Sequence, residues 1–175
     1  MKALNFILLC VLCYSLPTNS LEAANMKLTS PSFTDQEKIP SHFTCDGKNI
    51  SPELNWEGVP AGTKSFALIV EDPDAPLPHR PWVHWVVFNI PAEITTLPEG
   101  TRDFPKLGYQ GITSFDKEHY GGPCPPSGTH RYYFKLYALD TVLQLPPSAP
   151  KSYVEAAMRG HSLAEATLMG TYARH

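Results

Sequence analysis

The run Ser65-Phe66-Ala67-Leu68-Ile69-Val70-Glu71, closed by Asp72-Pro73-Asp74-Ala75-Pro76, decides how this chain folds. Alternate side chains of a strand point to opposite faces. One face here is Phe66, Leu68 and Val70, the other Ala67 and Ile69, and both are apolar. A strand apolar on both faces belongs at the centre of a sheet that is covered on each side. A second such run, Val83 to Ile90, begins shortly after the prolines. A third, Arg131 to Leu139, is dense in β-forming residues. Two carboxylates, a histidine and several prolines gather where the first run ends and the second begins, and His130-Arg131-Tyr132 opens the third. These places are read as one pocket.

The rest of the chain supplies further short strands. Met26 to Phe33 alternates enough for an edge strand, and Leu54-Asn55-Trp56 is a short one closed by Glu57-Gly58. Thr101 to Gly122 is a long polar, glycine-rich connection of the kind that carries function. Ser152 to Glu155 and Ser162 to Glu165 both have the spacing of a capping box, which predicts two short helical pieces separated by Gly160. Thr167 to Ala173 fits a last strand. The 18 prolines cannot sit inside helices or central strands, so ordered loops are expected. The expected fold is mostly β: an antiparallel, Greek-key-like β-sandwich with short helices near the C-terminus.

Residues 1–24 read as a secretory signal peptide, leaving 25–175 as a single domain. Lys2 precedes the apolar run Phe6 to Cys13, and small residues follow at Ser20, Ala23 and Ala24. An uncleaved anchor is the alternative, although the apolar run is short for a membrane span. The expectation is export, to the periplasm or outside the cell. Cys45 and Cys124 are then the only cysteines left, and an oxidising compartment favours one disulfide between them over two buried thiols. A net charge of −3 argues against a nucleic-acid surface.

His130 and Tyr132 share a strand face, as do Trp82 and His84. Two imidazoles, a phenol and free amides of the Gly121 to Gly128 loop make an anion cradle, with Asp72 orienting one histidine. Other readings stand beside this one. The two histidines could be unrelated core residues. Two histidines and an aspartate also suit zinc, but the chain has no H-x-x-x-H pair. A hydrolase would use His84 or His130 with Asp72, but there is no G-x-S-x-G elbow. No cofactor is expected. The five remaining histidines (His42, His79, His119, His161 and His175) have no motif and are assigned to surface or loop.

Asp72-Pro73-Asp74-Ala75-Pro76, Trp82-Val83-His84-Trp85 and Gly121-Gly122-Pro123-Cys124-Pro125-Pro126-Ser127-Gly128-Thr129-His130-Arg131-Tyr132 resemble the phosphatidylethanolamine-binding protein family. Thr44-Cys45-Asp46-Gly47, Ser51-Pro52 and Gly160-His161-Ser162-Leu163-Ala164 resemble its bacterial, Raf-kinase-inhibitor-like branch. The resemblance implies a β-sandwich with a small cavity for phosphate-like anions and phosphorylated headgroups, without enzymatic activity. Matched by motif, the ligand-binding residues are Asp72, Trp82, His84, Pro125, His130 and Tyr132. It further implies a cis peptide at Arg80–Pro81 and, from eukaryotic relatives, modulation of a partner protein such as a kinase or protease. The loop before His130 is shorter than in the animal proteins, and the C-terminal part differs from theirs.

Overall fold

The computed structural model describes residues 25–76, 81–102, 104 and 106–174. Eight strands and one α-helix form the described part. β1 (Lys27–Thr29), β2 (Leu54–Glu57) and β5 (Thr96–Leu97) make a small sheet in the order β1-β2-β5. β3 (Ser65–Asp72), β4 (Trp82–Pro91), β6 (Tyr109–Gln110), β7 (His130–Leu139) and β8 (Ser162–Tyr172) make a larger one, ordered β6-β4-β3-β7-β8. Every pairing within both sheets is antiparallel.

The two apolar faces of β3 explain the layering. Phe66, Leu68 and Val70 pack between the sheets with Leu54 and Trp56 of the small sheet and Phe134 and Leu136 of β7. Ala67 and Ile69 face the other way, with Val86 and Phe88, and meet Val154 and Met158 of α1 (Lys151–Met158). The predicted two-sided burial of β3 is therefore what the fold uses, since all eight of its residues are buried.

The C-terminal region departs from the sequence reading in two ways. α1 begins after Pro150, and no side chain caps it, so Ser152 lies inside the helix instead of before it. The start is set by the fixed φ of Pro150 and by Lys151, whose Nζ meets Glu71 Oε2 at 2.6 Å. Ser162 to Glu165 is not helical. It opens β8, which pairs along β7 as far as Tyr172. The alternation of Ala164, Ala166 and Leu168 into the core, with a ladder partner available, overrides the local capping signal. One α-helix, not several short helices, is present near the C-terminus among the described residues.

Cys45 and Cys124 are bonded across a sequence separation of 79. No helix of the described residues is long and apolar enough to cross a membrane. The signal-peptide reading of 1–24 lies outside the described residues. So does the cis Arg80–Pro81 bond, because Arg80 is outside them.

Candidate functional site

The end of β3 and the starts of β4 and β7 lie side by side. Asp72 pairs with Trp82, and Glu71 pairs with both Val83 and Tyr133. Tyr132 follows the Phe134 and Leu136 face into the core between the sheets. A β-bulge admits His84: Val70 pairs with Trp85 and Glu71 with Val83, which makes His84 the extra residue of β4. Bulges re-aim side chains. The His84 ring lies edge-on to Tyr132, with 5.1 Å between centroids, and to Phe115, at 5.4 Å.

The result is a cavity of about 330 Å³. Asp72, Trp82, His84, Pro125, His130 and Tyr132 all line it, so the six residues singled out in the sequence are brought together. Ala75, Pro76, Phe115, Cys124 and Pro126 complete the wall. Phe115 is the residue the sequence reading missed. It stands edge-on to Trp82 at 5.2 Å, and nothing in the sequence set it apart from Phe104, Tyr109 and Tyr120 in the same Thr101 to Gly122 segment.

Hydrogen bonds fix the polar groups in turn. His130 Nδ1–H donates to Asp72 Oδ2 at 2.7 Å, and both residues are buried. Asp72 Oδ1 accepts the Asp74 amide at 2.8 Å. Asp74 holds Arg131 through its main-chain amide, Nε and a terminal nitrogen. Those bonds from Arg131 hold the Asp74 carboxyl down to about 2. The Asp72-Pro73-Asp74 motif thus does two jobs: its first carboxylate orients the cavity histidine, and its second clamps the loop to β7.

His84 Nδ1–H donates to the Gly121 carbonyl at 2.6 Å, which leaves Nε2 with its lone pair in the neutral ring. Burial pushes this histidine down to about 4, against the opposing pull of the Gly121 carbonyl and the Asp72 charge. The free protein therefore carries His84 uncharged at neutral pH, not as the imidazolium expected for an anion cradle. Tyr132 is 1% exposed, and its hydroxyl has no hydrogen-bond partner; the Cys124 amide leans toward it without hydrogen-bond geometry. Burial, followed by the Asp72 charge, raises this phenol, so it stays a donor.

The glycines act differently from the expectation. The Gly121 amide is spent on the His84 carbonyl and the Gly122 amide on Asn49 Oδ1, so neither is left for a ligand. A side chain at Gly122 would collide with the Phe43 carbonyl and the Thr44 backbone. What this glycine permits is close approach of two protein loops.

Among the described residues no serine or threonine lines the cavity, and Cys124 is locked in its disulfide. Among the described residues no group of three or more His, Cys, Asp or Glu could hold a metal ion, so the zinc reading finds no ligand set there.

The fold is an antiparallel β-sandwich with a cavity at its strand ends, lined by His84, His130 and Tyr132 among others. Residues 29–173 match the phosphatidylethanolamine-binding protein family, and the chain belongs to that family. It is 53% identical over 152 residues to a UPF0098 protein of Methanothermobacter thermautotrophicus, covering 85% of this chain and 99% of the relative. A UPF0098 protein of Aquifex aeolicus is 48% identical over 163 residues, covering 89% and 92%. Among solved structures, a phosphatidylethanolamine-binding protein homolog from Chlamydia trachomatis superposes with a TM-score of 0.81 at 42% identity, covering 87% of this chain and 99% of that one. YbcL of Escherichia coli superposes with a TM-score of 0.80 at 37% identity, covering 87% and 100%.

Proposed function

We propose that the protein is an exported, non-enzymatic module that binds a phosphate-like anion or a phosphorylated headgroup in this cavity. The observation that carries the reading is the buried, unpartnered Tyr132 hydroxyl beside two imidazoles whose Nδ1 atoms are already committed. A buried polar group without a partner costs stability, and a ligand oxygen would satisfy it. The Nε2 atoms are the remaining polar ends of both rings. Charge-assisted hydrogen bonds to an anion contribute roughly 1.5–3 kcal/mol each. The apolar wall of Trp82, Phe115, Pro125 and Pro126 suits whatever the anion is attached to.

Titration calorimetry with inorganic phosphate and phosphoethanolamine tests the reading. His84→Ala and His130→Ala should each weaken binding, and together by less than the sum, because they share one ligand. Undiminished binding to the double variant would overturn the assignment of the site.

The His130–Asp72 pair favours one rival, hydrolysis of a bound ester with water as nucleophile and His130 as base. Turnover of activated phosphate or acyl esters that is lost in His130→Ala would establish it. No turnover is the expected result.

A further inference from the structure

Beyond Phe115 and Cys124 the cavity has a neighbour. A recess of about 130 Å³ uses the same two residues as walls and is otherwise lined by Asn49, Lys117, His119 and Tyr120, among others. Asn49, His119 and Tyr120 also border a smaller space that reaches Arg102 and Ser51. We propose that Lys117, His119 and Arg102 form a second anion subsite, and that the ligand carries a carboxylate a few bonds from its phosphate. This inference rests on reading the first cavity as an anion site.

The sequence hides this cluster. Asp116-Lys117-Glu118-His119 carries two carboxylates against one lysine, so the stretch does not look like an anion site. The structure sorts it: Asp116 lines a groove beside Trp82 and α1, while Glu118 lines another beside Tyr109 and accepts a hydrogen bond from Ser148 Oγ. Neither carboxylate lines the recess that Lys117 and His119 share. Among the described residues neither Lys117 nor Arg102 is in an ion pair. Both stand near His119, which is held below its ordinary value first by burial and then by Arg102 and Lys117.

A second observation points the same way. Ser51 is 2% exposed, and its hydroxyl has no partner. It borders the space that links Arg102 to His119, so an unsatisfied hydroxyl lies beside the same groups. The recess has room for a carboxylate.

O-phosphoserine and O-phosphoethanolamine differ by one carboxylate and make a matched pair. With the full-length protein at low ionic strength, calorimetry should find phosphoserine tighter by about threefold to tenfold, the range that one or two partly exposed ion pairs supply. The advantage should shrink as salt is added. It should disappear in the Lys117→Gln, Arg102→Gln double variant, while phosphoethanolamine affinity stays as in the parent. Equal affinity of the parent for both probes, or an advantage that survives in the double variant, would overturn the second subsite alone. If neither probe binds the parent, the first-cavity reading falls and this one falls with it. Repeating the pair as dihexanoyl phosphatidylserine and dihexanoyl phosphatidylethanolamine separates a lipid headgroup from a free phosphorylated amino acid.

Discussion

His84 shows how far a single residue can depart from its apparent role. Its sequence context marks it as a cation for an anion, yet it is 3% exposed and its ordinary value of 6.5 falls to about 4. The consequence for stability has a definite sign. Between pH 6.5 and 4 the unfolded chain binds a proton at this position and the folded chain does not. Stability contributed by neutral His84 is therefore fully present above pH 6.5 and is lost as pH falls toward 4, by roughly 3 kcal/mol across the window. Subtracting the pH–stability curve of His84→Gln from that of the parent isolates this term from the carboxylates. The ring resonances of His84 should stay at their neutral shifts until below pH 5; titration near 6.5 in the free protein would show that the ring is solvated. Ligand changes the balance. An anion at Nε2 favours a proton there, so binding should take up a proton at neutral pH. Affinity should rise as pH falls from the bound-state value toward 4. Calorimetry in buffers of different ionisation enthalpy reads that uptake directly.

The loops between elements shape the cavity as much as the strands do. The Gly121-Gly122 turn hangs from β4 through the Gly121 amide and His84 carbonyl, and from the Asn49 side chain through the Gly122 amide. A Cβ at Gly122 would meet backbone atoms of Phe43 and Thr44, which cannot step aside as a flexible side chain would. Gly122→Ala should cost about 1–3 kcal/mol in chemical denaturation, as overpacking does, and should weaken anion binding by shifting the carbonyl that holds His84. Unchanged stability would mean that the loop yields freely. The same elements show what a sequence can disclose. The central strands were legible because their apolar residues run unbroken on both faces, and so were the six cavity residues, through three motifs at strand ends. The bulge at His84 was not, because one extra residue in a ladder leaves no compositional mark. Nor was the start of β8: Ser162 to Glu165 carries a helix-capping pattern, and only the available edge of β7 decides against it. Phe115 was hidden because its partners Trp82 and His84 lie about thirty residues away across a turn that only the fold closes.

At the scale of the molecule, the Cys45–Cys124 bond joins the loop after the Ser41–Phe43 turn to the proline-rich loop that walls the cavity. Both loops lie outside the regular ladders, and the bond adds to the main-chain hydrogen bond, Cys45 N–H to the Pro123 carbonyl, that joins them there. With 79 residues of separation it stabilises by about 4 kcal/mol in the chain-entropy model, through the unfolded state. Reduction, or the Cys45→Ser, Cys124→Ser double variant, should lower the unfolding free energy by that order and weaken ligand binding by loosening the Pro125-Pro126 wall. The bond also bears on where the protein resides, because such bridges persist in oxidising compartments. If export removes residues 1–24, Cys10 and Cys13 leave with them, and the mature chain holds no free thiol. Protein isolated from the cell envelope or medium, denatured without reductant, should then give no reaction with a thiol reagent, an intact mass that begins after Ala24, and two thiols after reduction. Two thiols before reduction on a chain that still begins at Met1 would mean that the bridge forms but the leader is retained as an anchor. Two on the shortened chain would mean that export proceeds and the cysteines stay reduced, and the stabilising role assigned to the bond would be wrong.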